Sequence, residues 1–216
     1  GGNGTLKKSN FVILVKNENE TVRAFIGIEI PLEVKDALCN MTSSLKNKVK
    51  DIRWIRAEGI HITLKFLGNI SSANIKEIES VLGPLCSSGQ AIDLNLNGVG
   101  VFPDLKHPRI VWVALDGETD KLTALQRGIE KSCAAIGFPE EKRAYTPHLT
   151  LGRVKSYKGG RKLKNLEQLF SEINFSDMPH FRANFVHLYK SDLKPDGAVY
   201  TKLKSFPFKG ENEQEV

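Results

Sequence analysis

The chain has 216 residues, of which 40% are hydrophobic and 26% charged, and its formal net charge is +6 at pH 7. This is the composition of an ordinary soluble globular protein, and no apolar run approaches the ~20 residues that span a bilayer, so we expect no membrane association. The three cysteines are widely spaced and include no Cys-x-x-Cys pair, which favours a reduced, cytoplasmic compartment. The basic excess suits a polyanionic partner, although many cytosolic proteins carry as much without one.

Both ends of the chain are expected to be poorly ordered. Residues 1–20 form an N-terminal extension rich in Gly, Lys and Asn, within which 11–15 could add an edge strand. Residues 210–216 form a polar tail that we expect to fray. A single domain is therefore expected over 21–209.

In the first half of this domain, alternating apolar residues predict strands and apolar residues at helical spacing predict helices. The predicted elements are a strand at 22–30 stopped by Pro31, a helix at 33–49, a short strand at 52–55, a strand from His61 to Gly68, a helix at 71–82 with Ser71 or Ser72 as N-cap and Gly83-Pro84 as its stop, and a strand at 92–97.

The second half continues the mixture of strands and helices. The first predicted elements are a loop at 98–108, a strand at 109–115, a helix whose apolar stripe runs from Leu122 to Ile136 and which ends at Gly137, and a strand at 144–154. A basic loop follows at 156–164, and its Tyr157 could stack on a base. The last elements are a short helix at 166–173 and closing strands at 185–191 and 197–203, joined by a turn at 195–197. Interspersed strands and helices favour an α+β fold over a doubly wound parallel sheet.

The most informative feature is a duplicated motif, His-x-Thr-Leu, which begins at His61 and again at His148. Each copy alternates with a period of two, so its histidine and threonine share the strand face that the core does not use. If two such faces meet across a cleft, two imidazoles and two hydroxyls surround one anionic group. The duplication also suggests two similar lobes packed face to face.

Two histidines suit the metal-free cleavage of a phosphodiester. One group must deprotonate the attacking oxygen while another protonates the departing one, and the ordinary pKa of histidine, about 6.5, lies close to working pH. Thr63 and Thr150 are placed to donate to the nonbridging oxygens. Arg153 or Lys65 could supply the neutralising cation. Strict alternation would put Arg153 on the face opposite His148, so its role needs a bend at that strand end.

Two other interpretations of the motifs stay open at this stage. A strand histidine is often a satisfied structural residue, although two matched copies make that less common. A zinc site would need a third ligand and usually a fourth, and neither strand carries a carboxylate or Cys beside its histidine. We therefore expect no metal and no cofactor. His107, His180 and His187 have no partner pattern.

At these residues the sequence resembles the 2H phosphoesterase superfamily, and more closely the RNA 2′,3′-cyclic phosphodiesterase family, historically called 2′-5′ RNA ligases. The similarity runs from Val22 to Phe208 through segments in the family's order, at 23–28, 53–54, 61–68, 98–103, 108–109, 147–153, 191–193, 200 and 206–207.

The resemblance implies a two-lobed α+β fold in which antiparallel sheets face a central groove, with helices outside. It implies metal-independent hydrolysis of an RNA 2′,3′-cyclic phosphate to a 2′-phosphate, with His61 as proton donor and His148 as proton acceptor. It places Thr63, Thr150 and Arg153 at phosphate-contacting positions. The implied partner is RNA with a cyclic phosphate end, or a cyclic nucleotide, bound by a monomer without an obligate protein partner. A nucleotide-binding module without turnover is the alternative, and ligation through a 2′-5′ bond is the same reaction in reverse.

Overall fold

The computed structural model describes residues 21–155, 166–195 and 197–211, so the predicted extension at 1–20, the basic loop at 156–164 and most of the tail lie outside the described residues. Within them are β1 (Val22–Glu29), α1 (Leu32–Lys46), β2 (Ile52–Trp54), β3 (His61–Ile70), α2 (Ser72–Ser88), β4 (Ile92–Phe102), β5 (Ile110–Gly117), α3 (Thr119–Ala135), β6 (His148–Val154), α4 (Leu166–Ser171), β7 (Phe181–Ala183), β8 (Phe185–Lys194) and β9 (Gly197–Pro207). In these ranges no helix is long and apolar enough to cross a membrane.

The strands form one antiparallel sheet in the order β7-β4-β5-β6-β3-β1-β8-β9, and β2 pairs with β6. The predicted α+β fold is confirmed. The two predicted sheets are the halves of this single sheet, and they are joined between β3 and β6 by the pairing of Ile62 with Leu149. Both of these side chains are completely buried, and such burial contributes about 1.5–3 kcal/mol for each side chain of this size.

The main core lies on the face of the sheet that carries Ile62 and Leu149. It takes buried residues from α2 and α3 as well as from the strands, including Ile78, Leu82 and Ile129. A smaller apolar cluster joins α1, β2, β5 and α4 around Leu45 and Val111. The opposite face of the sheet is therefore left for the functional site.

Several predicted boundaries differ from those of the structure, and one strand was not predicted. Tertiary packing explains the following three cases. Helix α2 continues past Pro84 to Ser88, because the fully buried Cys86 anchors its last turn in the core. Strand β4 runs through the predicted loop to Phe102, since a register shift between Leu96 and Val99 accommodates Gly98 at a φ of 79°. The short strand β7 escaped prediction because its order comes from pairing with β4. By contrast, the predicted N-cap at Ser71 is confirmed by a capping box with Asn74.

Candidate active site

The duplicated motifs lie side by side at the junction of the two halves of the sheet. Because Ile62 pairs with Leu149 in antiparallel orientation, the middle residues of the two motifs are opposite one another. His61 and Thr63 flank Ile62, and His148 and Thr150 flank Leu149, so each histidine lies beside the threonine of the other motif. All four side chains line one cleft of about 730 Å³, as the sequence predicted.

Each motif strand contains a β-bulge at the leucine that follows the threonine. In β3, Thr63 pairs with Gly27 and Lys65 with Ile26, which leaves Leu64 unpaired. In β6, Thr150 pairs with Trp112 and Gly152 with Val111, which leaves Leu151 without a partner on β5. An extra residue in one strand reverses the alternation beyond it. The bulge therefore changes which later side chains reach the cleft.

Because of this reversal, Arg153 is on the cleft face, as its predicted role required. The Arg153 side chain is exposed and lines the cleft. The same reversal contradicts the proposed role of Lys65. Its side chain points to the core face and is only 4% exposed, and its Nζ donates to the Glu130 carboxylate and to the Pro139 carbonyl oxygen. Phe66 takes the corresponding place in the cleft, where it is 68% exposed.

Both histidines are oriented by a hydrogen bond from Nδ1 to a backbone carbonyl oxygen two residues earlier in the chain. The Nδ1–H of His61 donates to the carbonyl oxygen of Gly59 at 2.9 Å, and that of His148 donates to the carbonyl oxygen of Thr146 at 2.7 Å. Because a carbonyl oxygen can only accept, these bonds fix the proton of the neutral ring on Nδ1. Nε2 is therefore the nitrogen that exchanges protons, and the Nε2 of His61 accepts from the Thr63 hydroxyl at 3.0 Å.

Aromatic rings from other strands pack against each imidazole. The ring of His61 lies 4.6 Å from that of Phe25 and 4.9 Å from that of Tyr200, as distances between centroids. The ring of His148 lies 5.1 Å from that of Phe102. Burial is the largest cause that lowers the pKa of His61, to about 4, and burial also lowers the pKa of His148. Both rings are therefore neutral at neutral pH in the free protein.

The rest of the cleft carries both basic and exposed apolar side chains. Its charged lining consists of one carboxylate and five basic side chains: Glu58, Arg23, Arg53, Arg56, Arg153 and Lys194. Three exposed apolar side chains also line it, namely Phe66, Leu193 and Val199. A nucleotide offers a partner to both kinds of side chain, since it has an anionic phosphate and a flat, largely apolar base.

Several of these cleft residues were not predicted as site residues. Arg23, Phe66 and Tyr200 come from strands β1, β3 and β9, and strand pairing brings them together. The only sequence signal for them was their position inside the segments that resemble the family.

The remaining histidines lie elsewhere. His107 and His180 are exposed, and His187 lines a separate pocket. Among the residues that the structure describes, no group of three His, Cys, Asp or Glu side chains is arranged to hold a metal ion.

The sequence matches a family profile and several named relatives. The profile of the 2′-5′ RNA ligase superfamily matches residues 34–195. The RNA 2′,3′-cyclic phosphodiesterase of Methanocaldococcus jannaschii is 32% identical over 185 residues, which are 86% of this chain and 100% of the relative. The enzyme of the same name from Methanothermobacter thermautotrophicus is 30% identical over 185 residues, covering 86% and 98% of the two chains.

Solved structures share the fold. Apo LigT of E. coli superposes with a TM-score of 0.71 at 22% identity, over 88% of this chain and 99% of LigT. The protein TT0787 of Thermus thermophilus superposes with a TM-score of 0.70 at 23% identity, over 88% of this chain and 100% of the other. Since the profile match covers most of the chain and both motifs lie within it, this chain belongs to the 2′-5′ RNA ligase superfamily.

Proposed function

We propose that the protein hydrolyses the 2′,3′-cyclic phosphate at an RNA end to a 2′-phosphomonoester. The observation that carries this proposal is the pair of Nδ1-tethered imidazoles, His61 and His148, which share one basic cleft with two threonines. Relatives named RNA 2′,3′-cyclic phosphodiesterase support the same substrate. A free nucleotide with the same cyclic group presents the same reacting atoms.

In the reaction, water attacks phosphorus and the bond from phosphorus to the ribose O3′ breaks. His148 accepts the proton of the attacking water through Nε2, and protonated His61 delivers a proton to O3′ as it leaves. One water is consumed, and phosphorus remains attached to O2′. The phosphodiester anion favours the protonated imidazole, so substrate binding raises the pKa of His61 from its low value in the free protein.

Threonine and arginine side chains stabilise the charge that develops on the nonbridging oxygens. Thr63 and Thr150 carry hydroxyl donors on the same strand face as the imidazoles. Arg153 reaches the cleft because of the bulge at Leu151. Burial is the largest cause of the raised pKa of Tyr200, and the charges of Arg153 and Arg23 act against it. Arg23 and Tyr200 line the same cleft as Arg153.

We assign the base of the terminal nucleotide to Phe66. Phe66 offers an exposed ring in the cleft, and base–aromatic stacking is worth about 1–3 kcal/mol. Stacking tolerates any base, so we expect the enzyme to act on RNA ends of different sequence.

We also infer that the protein acts as a monomer without an obligate protein partner. The three cysteines are free thiols, which fits activity in the reducing cytoplasm.

The proposal is tested with adenosine 2′,3′-cyclic phosphate after exhaustive chelation. We expect turnover to the 2′-phosphate, because two histidines perform both proton transfers. His148→Ala, with its side chain on the cleft face, should lose about 10²–10⁴ in rate and keep its fold. Binding without turnover by the unaltered protein would support the non-catalytic alternative. Activity that is lost on chelation and restored by zinc or manganese would overturn the two-histidine mechanism.

A further inference from the structure

A second pocket of about 440 Å³ opens on the same face of the sheet as the histidine cleft. Alternate residues of β8 connect the two: Ser191 and Leu193 line the cleft, and Phe185 and His187 line the second pocket. Tyr189 lies between them, with ring centroids 5.5 Å from His187 and 6.4 Å from His61. His187 and Ser191 are four residue steps apart, or about 13 Å along the strand, so the second pocket is a neighbour of the reaction site.

The second pocket has a surplus of positive charge. Lys35 lines it, and its Nζ lies 3.6 Å from the Glu29 carboxylate. Glu29 is also paired with Lys202, so one carboxylate faces two ammonium groups. Helix α1 begins at this pocket with Leu32 and has no side-chain cap at Pro31. The amides of Val34 and Lys35 donate to the Pro31 carbonyl oxygen, so the amides of Leu32 and Glu33 are the ones that favour an anion at this helix N-terminus.

One polar group without a protein partner faces this pocket. His187 lines the pocket and is only 6% exposed, and its Nδ1 is hydrogen bonded to the Ser205 hydroxyl at 3.0 Å. Among the described residues, none makes a hydrogen bond to its Nε2. Polar atoms of buried side chains are nearly always hydrogen bonded, so an occupant that can donate to or accept from this nitrogen fits here.

We propose that this pocket binds the ribose and phosphate of the RNA strand next to the cyclic end. The phosphate lies against Lys35 and the first amides of α1. The ribose 2′-hydroxyl, which both donates and accepts, is placed to bond the free nitrogen of His187. The pocket thereby lets the enzyme prefer an RNA end over a free cyclic nucleotide. This inference rests on the proposed function, since it extends the same substrate beyond its reacting nucleotide.

The test compares adenosine 2′,3′-cyclic phosphate with a trinucleotide that ends in the same cyclic group. Lys35→Met is expected to lower kcat/KM for the trinucleotide about tenfold, the worth of a charge-assisted hydrogen bond, and to change the mononucleotide value less. The mononucleotide serves as the internal control, because Lys35 also acts electrostatically on His61 and that effect reaches both substrates. Lys204→Met is the matched control variant, since this lysine of β9 pairs instead with Glu79.

Salt dependence gives a second measure. Losing one phosphate contact should reduce the slope of log affinity against log salt by about 0.7 for a single strand. If Lys35→Met folds poorly, Lys35→Gln tests the same contact, because it removes the charge and keeps a polar side chain in the pocket. An equal loss for the two substrates in the pocket variant would overturn the inference and leave the proposed function standing.

Binding separates the inference from the proposed function. The affinity of a labelled trinucleotide 2′-phosphate, measured by fluorescence anisotropy, needs no turnover. We expect it to weaken about tenfold in Lys35→Met and to be unchanged in Lys204→Met. Unchanged affinity in Lys35→Met would overturn the inference whether or not the enzyme turns over, whereas failure of the unaltered protein to hydrolyse either substrate would refute the proposed function alone.

Discussion

Replacing Lys65 by Met should destabilise the protein and leave its chemistry largely intact. The Lys65 and Glu130 side chains are 4% and 8% exposed and form an ion pair. Gln126 donates to the Glu130 carboxylate at 3.1 Å and to the carbonyl oxygen of Leu64 at 3.3 Å. Glu130 also accepts from the backbone N–H of Glu141 at 3.1 Å. This network therefore holds the bulge of β3 and the segment that leads to the second motif.

Removing one member of a buried ion pair costs about 3–5 kcal/mol, because the remaining charge stays buried. For a chain of this size each kcal/mol shifts Tm by about 2–4 °C, so Lys65→Met should melt roughly 6–20 °C lower. The double variant Lys65→Met/Glu130→Met should recover part of this loss, since no charge is left unpaired. Thermal unfolding followed by circular dichroism measures both.

Arg153→Met is the control for Lys65→Met, because Arg153 is a basic residue that is exposed in the cleft. It should keep its Tm and lose about 10²–10³ in kcat/KM, the usual worth of a group that stabilises transition-state charge. Folded Lys65→Met should lose much less in kcat/KM at 25 °C. If Lys65→Met instead kept its Tm and lost activity as Arg153→Met does, Lys65 would contact phosphate and the placement of the bulge would be wrong.

Three further predictions concern the histidines and the base site. A nitrophenyl phosphodiester, whose leaving group needs no proton, should restore much of the rate lost in His61→Ala and little of that lost in His148→Ala; the reverse pattern would exchange donor and acceptor. Phe66→Ala should weaken binding of a cyclic mononucleotide by about 1–3 kcal/mol, which raises KM roughly 5- to 150-fold. Its Tm should not change, because the ring is exposed. An unchanged KM would show that the ring does not contact the base. Burial lowers the folded-state pKa of His61 and of His187 to about 4, so the unfolded chain binds more protons between pH 4 and about 6.5. The free energy of unfolding in urea should therefore fall as pH drops through this window, and less so in His61→Phe; equal pH dependence would contradict the lowered pKa.

The sequence by itself determined the composition of the reaction site. Two copies of His-x-Thr with matching alternation place an imidazole and a hydroxyl on the free face of a strand, and their duplication predicted that the two faces meet in one cleft. The α+β class followed from the interspersed strands and helices. These features depend on local periodicity, which is written in the order of the residues.

Only the tertiary structure decided which side chains beyond the threonines reach the cleft. Alternation alone placed Lys65 on the cleft face and Arg153 on the core face, whereas the bulges at Leu64 and Leu151 reverse both. A bulge is set by pairing with a neighbouring strand, here β1 for the first motif and β5 for the second, and that pairing is invisible in the periodicity of one strand. For the same reason Tyr200, far along the chain, was not predicted to pack against His61.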